Sequence, residues 1–181
     1  MCNSLLKGIN VFLVGMMGVG KTTIGVKLAT ELGYRFVDTD ALIEQLAGHT
    51  ISHIFAESGE ENFRQLETKV LSEVSAYQKL VIATGGGIIL NKFNWSYLRH
   101  GLVIWLDAPV EVLIQRLQGD LTRPLLQQTD PAQALQTILG QRKSLYAQAD
   151  LQIRINAEDT PEKITSRIIA EIPSVMKLSA D

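Results

Sequence analysis

The stretch Gly15-Met16-Met17-Gly18-Val19-Gly20-Lys21-Thr22-Thr23 constrains this chain more than any other. Its spacing is Gly, four residues, Gly-Lys-Thr. Glycines at 15, 18 and 20 permit positive φ and let backbone N–H groups converge on one concave side. The run Ile9-Asn10-Val11-Phe12-Leu13-Val14 reads as a strand entering the loop, and Ile24 to Leu32 as a helix leaving it. The first turn of that helix offers unpaired N–H groups and a positive dipole end. Lys21 adds a mobile full charge. A chain built this way suits a polyphosphate, which carries dense negative charge and many acceptor oxygens. Gly18, Val19, Gly20, Lys21, Thr22 and Thr23 form the expected nucleotide cradle. The Thr22 hydroxyl can ligate Mg²⁺. A plain Gly-rich turn is the rival reading, and the strand and helix on either side of the loop argue against it.

Four further β-rich runs follow: 35–37, 80–84, 102–106 and 151–155. Stripes at helical spacing fill the gaps between them. They are Ile24, Leu28, Ala29 and Leu32; Phe63, Leu66, Val70, Leu71 and Val74; Val110, Leu113, Ile114 and Leu117; Leu135, Ile138, Leu139 and Leu145; and Ile164, Ile168, Ile169 and Ile172. Strands that are apolar almost throughout and alternate with helices imply a buried parallel sheet in an α/β fold. Ligands on such sheets bind beyond the carboxyl ends of the strands. That rule selects the loop at 15–22, Asp38 to Asp40, Gly85 to Gly87 and the residues after Asp107. A length of 181 residues without repeat or linker fits one domain. The tail from Ser174 is expected to be loosely held.

Composition excludes several function classes. Net charge is −2, which gives no electrostatic case for nucleic acid or an anionic membrane. No apolar run reaches the roughly 18 residues of a membrane span. Met1 to Lys7 contain no secretory apolar stretch. The single cysteine, Cys2, cannot form an internal disulfide and suits a reducing compartment. His49 and His53 stand four apart, but Thr50 occupies the place where a zinc-protease helix needs glutamate.

The strand ends hold the groups that can do chemistry. Asp38 can hold Mg²⁺, and Asp40 can accept a hydrogen bond from a hydroxyl and orient it towards a γ-phosphate. Either aspartate could equally cap the helix over 41–46. Gly85-Gly86-Gly87 implies backbone pressed against a ligand or a flexible turn. Arg64, on a helix begun by Ser58-Gly59-Glu60-Glu61 with Glu67 three residues on, Arg123 before Pro124, and Arg142 can each bind carboxylate or phosphate bidentately. Arg116 reads more simply as a helix-surface charge.

Taken together, the residues from about Ile9 to Ile155 resemble the shikimate kinase family. The likeness is carried by the loop from Gly15 to Gly25, Phe36-Val-Asp-Thr-Asp40, Gly59-Glu-Glu-Asn-Phe-Arg-Gln-Leu-Glu67, Thr84-Gly-Gly-Gly87 and Thr122-Arg-Pro-Leu-Leu126. The resemblance implies the nucleoside monophosphate kinase fold: a five-stranded parallel sheet with flanking helices, a substrate-binding region over about 39–66 and a mobile lid over about 118–128. It implies transfer of phosphate from ATP to the 3-hydroxyl of shikimate, with Mg²⁺, on the route to chorismate. By that likeness Asp40 binds the ring hydroxyls and takes the proton, while Arg64, Arg142 and the Gly86 and Gly87 backbone hold the carboxylate. Arg123 joins Lys21 on the phosphates, Arg116 lies near the adenine, and Thr22 and Asp38 serve Mg²⁺. A cytoplasmic monomer is expected, or a plastid stromal one if the source is a plant. Two departures stand out. Thr22 replaces the serine common in bacterial members, which keeps the hydroxyl, and Leu117-Gln118-Gly119 differs from the family's lid pattern. The rivals are a gluconate or nucleotide kinase of the same fold and a non-catalytic nucleotide-binding relative.

Overall fold

The computed structural model describes residues 6–118 and 130–176. Five strands form one sheet in the order β2-β3-β1-β4-β5: β1 (Val11–Val14), β2 (Arg35–Asp38), β3 (Leu80–Ala83), β4 (Leu102–Asp107) and β5 (Leu151–Arg154). Every pairing is parallel. All five runs expected from sequence are strands. The three central strands are buried along their length, apart from the half-buried Asp107 at the end of β4. The two edges are not, since β2 is partly exposed and β5 alternates Leu151 and Ile153 in with Gln152 and Arg154 out. An edge strand has only one neighbour, so it keeps solvent-facing positions.

The helices are α1 (Lys21–Leu32), α2 (Thr39–Ala47), α3 (Ile51–Ser75), α4 (Asn94–Leu98), α5 (Val110–Leu117), α6 (Pro131–Tyr146) and α7 (Pro161–Met176). A 3₁₀ turn spans Ile88–Leu90. Helix α3 is two helical segments that meet at a kink, and the helix expected from Ser58-Gly59-Glu60-Glu61 is the second of them. The first starts at Ile51, where the Thr50 hydroxyl accepts from His53 N–H, and the kink falls at Gly59 (φ 77°, ψ 171°). Helix α7 takes in Ser174 to Met176, the first residues of the supposed tail. Phe63 is core, as expected, and its ring meets Phe55 at 4.6 Å. The rings of His49 and His53 stack at 4.4 Å. Among the described residues no helix is long and apolar enough to cross a membrane.

The turn into α7 is held by one buried carboxylate. Asp159 accepts from Asn156 N–H at 2.9 Å and from Arg167 Nη2 at 2.6 Å, and Lys163 Nζ lies 2.9 Å from its other oxygen. The backbone bond and then the Lys163 bond pull its pKa from 3.8 down to about 2. A carboxyl depressed in this way stabilises the fold above its unfolded pKa of roughly 3.9 and loses that stabilisation as pH falls through about 2. Asp159→Asn removes the effect. Urea titrations at pH 7 and pH 2.5 should show a smaller fall in unfolding free energy for the variant than for the parent. An equal fall in both would remove Asp159 from the acid response.

Candidate active site

The sheet order places β1 between β3 and β4, so chain leaving β1 and β3 turns towards opposite neighbours and opens a crevice at their carboxyl ends. The phosphate loop occupies that crevice. Gly15 has φ +146°, and a Cβ there would sit 2.5 Å from the Leu106 carbonyl oxygen, so no side chain fits. Lys21 Nζ donates to the carbonyls of Gly15 and Met16 at 2.7 and 2.9 Å. Arg116, from the last turn of α5, donates to the Val19 carbonyl at 2.8 Å, so it packs on the loop instead of serving as a simple surface charge. A cavity of about 490 Å³ opens above the loop. Its lining includes Gly18, Gly20, Lys21, Thr22, Thr23, Asp38, Asp40, Gly86 and Arg116, all selected from sequence. Val19, also selected, is fully buried and contributes through its backbone.

Asp38 turns out to satisfy both readings offered for it. One oxygen, Oδ1, caps α2 by accepting from the N–H groups of Asp40 and Ala41 at 3.0 and 3.3 Å. The other, Oδ2, accepts from the Thr22 hydroxyl at 2.7 Å. A hydroxyl and a carboxylate oxygen in contact, at the mouth of a phosphate cradle, are hard oxygen donors that fit Mg²⁺. Asp40 is then the first-turn acidic residue of α2 rather than its cap, and its side chain faces the cavity.

Close approach explains two of the three glycines after β3, Gly85 and Gly87. A Cβ on Gly85 would lie 2.8 Å from both Asp40 Oδ1 and Glu67 Oε1. One on Gly87 would lie 2.6 Å from Arg64 Nη2 and 2.7 Å from its Cζ. At Gly86 there is room for a Cβ, which would make ordinary contacts 3.5 Å from the Gly15 carbonyl oxygen and 3.8 Å from Arg142 Nη1. The turn is therefore a thin backbone wall with the acid on one side of its length and two guanidiniums further along.

Arg64 is held by Glu67 Oε2 at 2.9 Å and by the exposed Glu60 at 3.2 Å. Glu67 is almost fully buried, and its Oε1 has no hydrogen-bond partner among the described residues. Burial pushes its pKa up, the neighbouring Asp40 adds to this, and Arg64 and Arg142 oppose it. Arg142 Nη1 donates to the Gly86 carbonyl at 3.3 Å. Asp40, Arg64 and Arg142 thus meet at the turn from Gly85 to Gly87, where Gly86 approaches the Gly15 carbonyl that Lys21 bonds; Asp40 and Gly86 line the cavity, and the two arginines stand behind its wall. Arg123 lies outside the described residues, as does the expected lid apart from Gln118.

Sequence reasoning missed several contributors. Thr39, fully buried, donates to the Ala83 carbonyl and accepts from Gly85 N–H, and the Thr84 hydroxyl bonds the Leu13 carbonyl, so the mouths of β2, β3 and β1 are tied together. Met17, Pro161 and Ile164 also line the cavity. The strand-end rule, applied to β5 as it was to the other four, reaches Pro161 and Ile164. Tyr146 carries no motif signal at all.

This constellation can be set beside known proteins. The family model for shikimate kinase matches residues 17–173. The chain belongs to the shikimate kinase family. A shikimate kinase from Nostoc sp. (strain PCC 7120) is 56% identical over 178 residues, which is 98% of each chain. One from Synechococcus elongatus is 57% identical over 176 residues, covering 97% of this chain and 93% of its own. A shikimate kinase from Acinetobacter baumannii, solved in complex with shikimate, superposes with a TM-score of 0.90 at 40% identity, over 96% of this chain and 98% of that one. Shikimate kinase is thus the family of both the near sequences and the near structure, and the five-stranded parallel sheet is its fold.

Proposed function

We infer that this chain is a shikimate kinase, transferring the γ-phosphoryl group of ATP to the 3-hydroxyl of shikimate to give shikimate 3-phosphate and ADP. The observation that carries the reading is the placement of one carboxylate and two guanidiniums around a glycine wall that the phosphate cradle also touches. A hydroxylated acid of this size needs such a set, whereas a nucleotide acceptor does not.

In the proposed reaction the backbone amides from Gly18 to Thr23 and Lys21 hold the β- and γ-phosphates. Arg64, Arg142 and the backbone of Gly86 and Gly87 fix the acceptor's carboxylate. Asp40 accepts the proton of the attacking hydroxyl as its oxygen bonds to the γ-phosphorus and the bond to the ADP oxygen breaks. Thr22 and Asp38 would hold Mg²⁺, which neutralises phosphate charge when bound. Arg116, which lines the cavity and bonds the phosphate loop, would lie near the adenine. Arg123 is assigned to the phosphates on sequence alone. Residues 39–66 form the acceptor region of a single domain that acts as a cytoplasmic monomer.

A coupled assay of ADP release should show turnover with shikimate and only background with gluconate or nucleoside monophosphates. ATP binding with shikimate inert would reject the assignment. A second expectation concerns the wall itself. Gly87→Ala forces the Arg64 guanidinium off the turn. The KM for shikimate should rise about tenfold or more, the scale of one charge-assisted hydrogen bond, with the KM for ATP little changed. Equal effects on both substrates would mean that the turn, not Arg64, had been disturbed.

A further inference from the structure

Tyr146 is fully buried in the last turn of α6, and nothing in the reaction above uses it. Its hydroxyl donates to the Gly86 carbonyl oxygen at 2.6 Å. Arg142, one helical turn earlier on the same face, donates to that same oxygen at 3.3 Å. The Tyr146 ring stacks on Trp105 of β4, with centroids 5.8 Å apart and planes at 18°, so it has little freedom to turn. A buried tyrosine hydroxyl ordinarily finds a partner. What needs explaining is its choice of acceptor, a carbonyl in the turn between the phosphate loop and the two guanidiniums.

We propose that Tyr146 is a positioning residue for acceptor recognition: by satisfying the Gly86 carbonyl it leaves the Arg142 guanidinium available to the acceptor's carboxylate. The inference rests on reading Arg142 as a ligand of that carboxylate. A carbonyl oxygen has two lone pairs, and the short hydroxyl bond takes one of them. The 3.3 Å contact from Arg142 is long for an N–H···O bond and correspondingly weak. Arg142 therefore gives up little when it turns to a carboxylate, where it can pair bidentately. Burial raises the Tyr146 pKa, with Arg142 opposing, so the hydroxyl remains a proton donor at neutral pH. Without the hydroxyl, the half-buried Gly86 carbonyl loses its strong donor, and leaving an acceptor short of a partner costs free energy. Arg142 Nη1, already in contact with that oxygen, is then drawn onto it in competition with the substrate.

The test compares the full chain with Tyr146→Phe, using shikimate and its neutral carboxamide as acceptors. The variant should raise the KM for shikimate about tenfold, the scale of one hydrogen bond, while kcat and the KM for ATP stay within about twofold. With the carboxamide the variant and the parent should agree within about twofold in kcat/KM, because no carboxylate competes for Arg142. Equal losses on both acceptors, or an unchanged KM for shikimate, overturn the proposal. An Arg142→Ala background supplies a second measurement: there, adding Tyr146→Phe should leave the KM for shikimate unaltered, and a further tenfold rise overturns the proposal. A Tyr146→Phe chain that does not fold also counts against it, since the residue is then structural. The parent assayed alongside separates the two readings. Parent chain without shikimate-dependent ADP release removes the functional assignment, whereas normal parent turnover with an indifferent Tyr146→Phe removes this inference alone.

Discussion

Asp40→Asn is expected to lower kcat about 10³-fold while leaving the affinity for ATP within about twofold, since general-base catalysis typically contributes 10²–10⁴-fold. Asparagine matches the size of aspartate, so it preserves the packing against Gly85 and can still hydrogen-bond an acceptor hydroxyl. It cannot take the proton. It also removes one negative charge beside Glu67, whose raised pKa reflects burial first and Asp40 in part, so the local repulsion eases and the fold should not suffer. Steady-state turnover with saturating shikimate, together with calorimetric titration of ATP, checks both halves. A kcat within tenfold of the parent would show that the hydroxyl loses its proton without Asp40.

Lys21→Met is the second large effect. Methionine keeps an unbranched stem of similar length but deletes the charge that the loop holds between the carbonyls of Gly15 and Met16. Phosphoryl transfer is catalysed mostly by positioning and charge neutralisation. A single donor aimed at developing charge is worth about 10²–10³-fold, so a full cation at the transferred group should cost about 10³-fold or more in kcat. That corresponds to roughly 4 kcal/mol of barrier. The pattern should differ from that of Asp40→Asn, because ATP affinity falls as well while shikimate binding is retained. The pair of variants therefore separates donor charge from acceptor activation. Loss of shikimate binding in Lys21→Met would mean that the two halves of the site are not independent.

The sheet was legible because each strand announced itself as a short β-rich run beside turn residues. The phosphate loop was legible because few other jobs require that glycine spacing before Gly-Lys-Thr. Asp40, Arg64 and Arg142 could be brought together only through family resemblance. They lie on three different helices, and nothing local in the sequence says that 24 and 78 residues of chain bring them to one turn. The stretch from Ile88 to Leu98 was missed as helix. Its 3₁₀ turn and the five-residue α4 are too short to display a 3.6-residue period. The segment of α3 before the kink at Gly59 carries no stripe long enough to read as helix, whereas the segment after it does. Tyr146 was invisible for another reason. Its hydroxyl acts on a carbonyl 60 residues away, and a buried tyrosine at the end of an apolar stripe looks like any other core ring.

Strand β1 is adjacent to β2 in sequence but never pairs with it. Its neighbours are β3 and β4, whose first residues lie 69 and 91 positions after Val11. As the chain leaves the ribosome, the glycine loop therefore emerges before β3 and β4 and is set only after them. Its flanking strand finds no edge to join until Leu80 and then Leu102 have appeared. Such long-range parallel pairing is intrinsically slow, because loop closure comes before any reward in contacts. Nucleotide-binding competence should consequently appear late and abruptly in refolding, after helical signal has developed, and nascent chains that end before Asp107 should be unable to hold ATP.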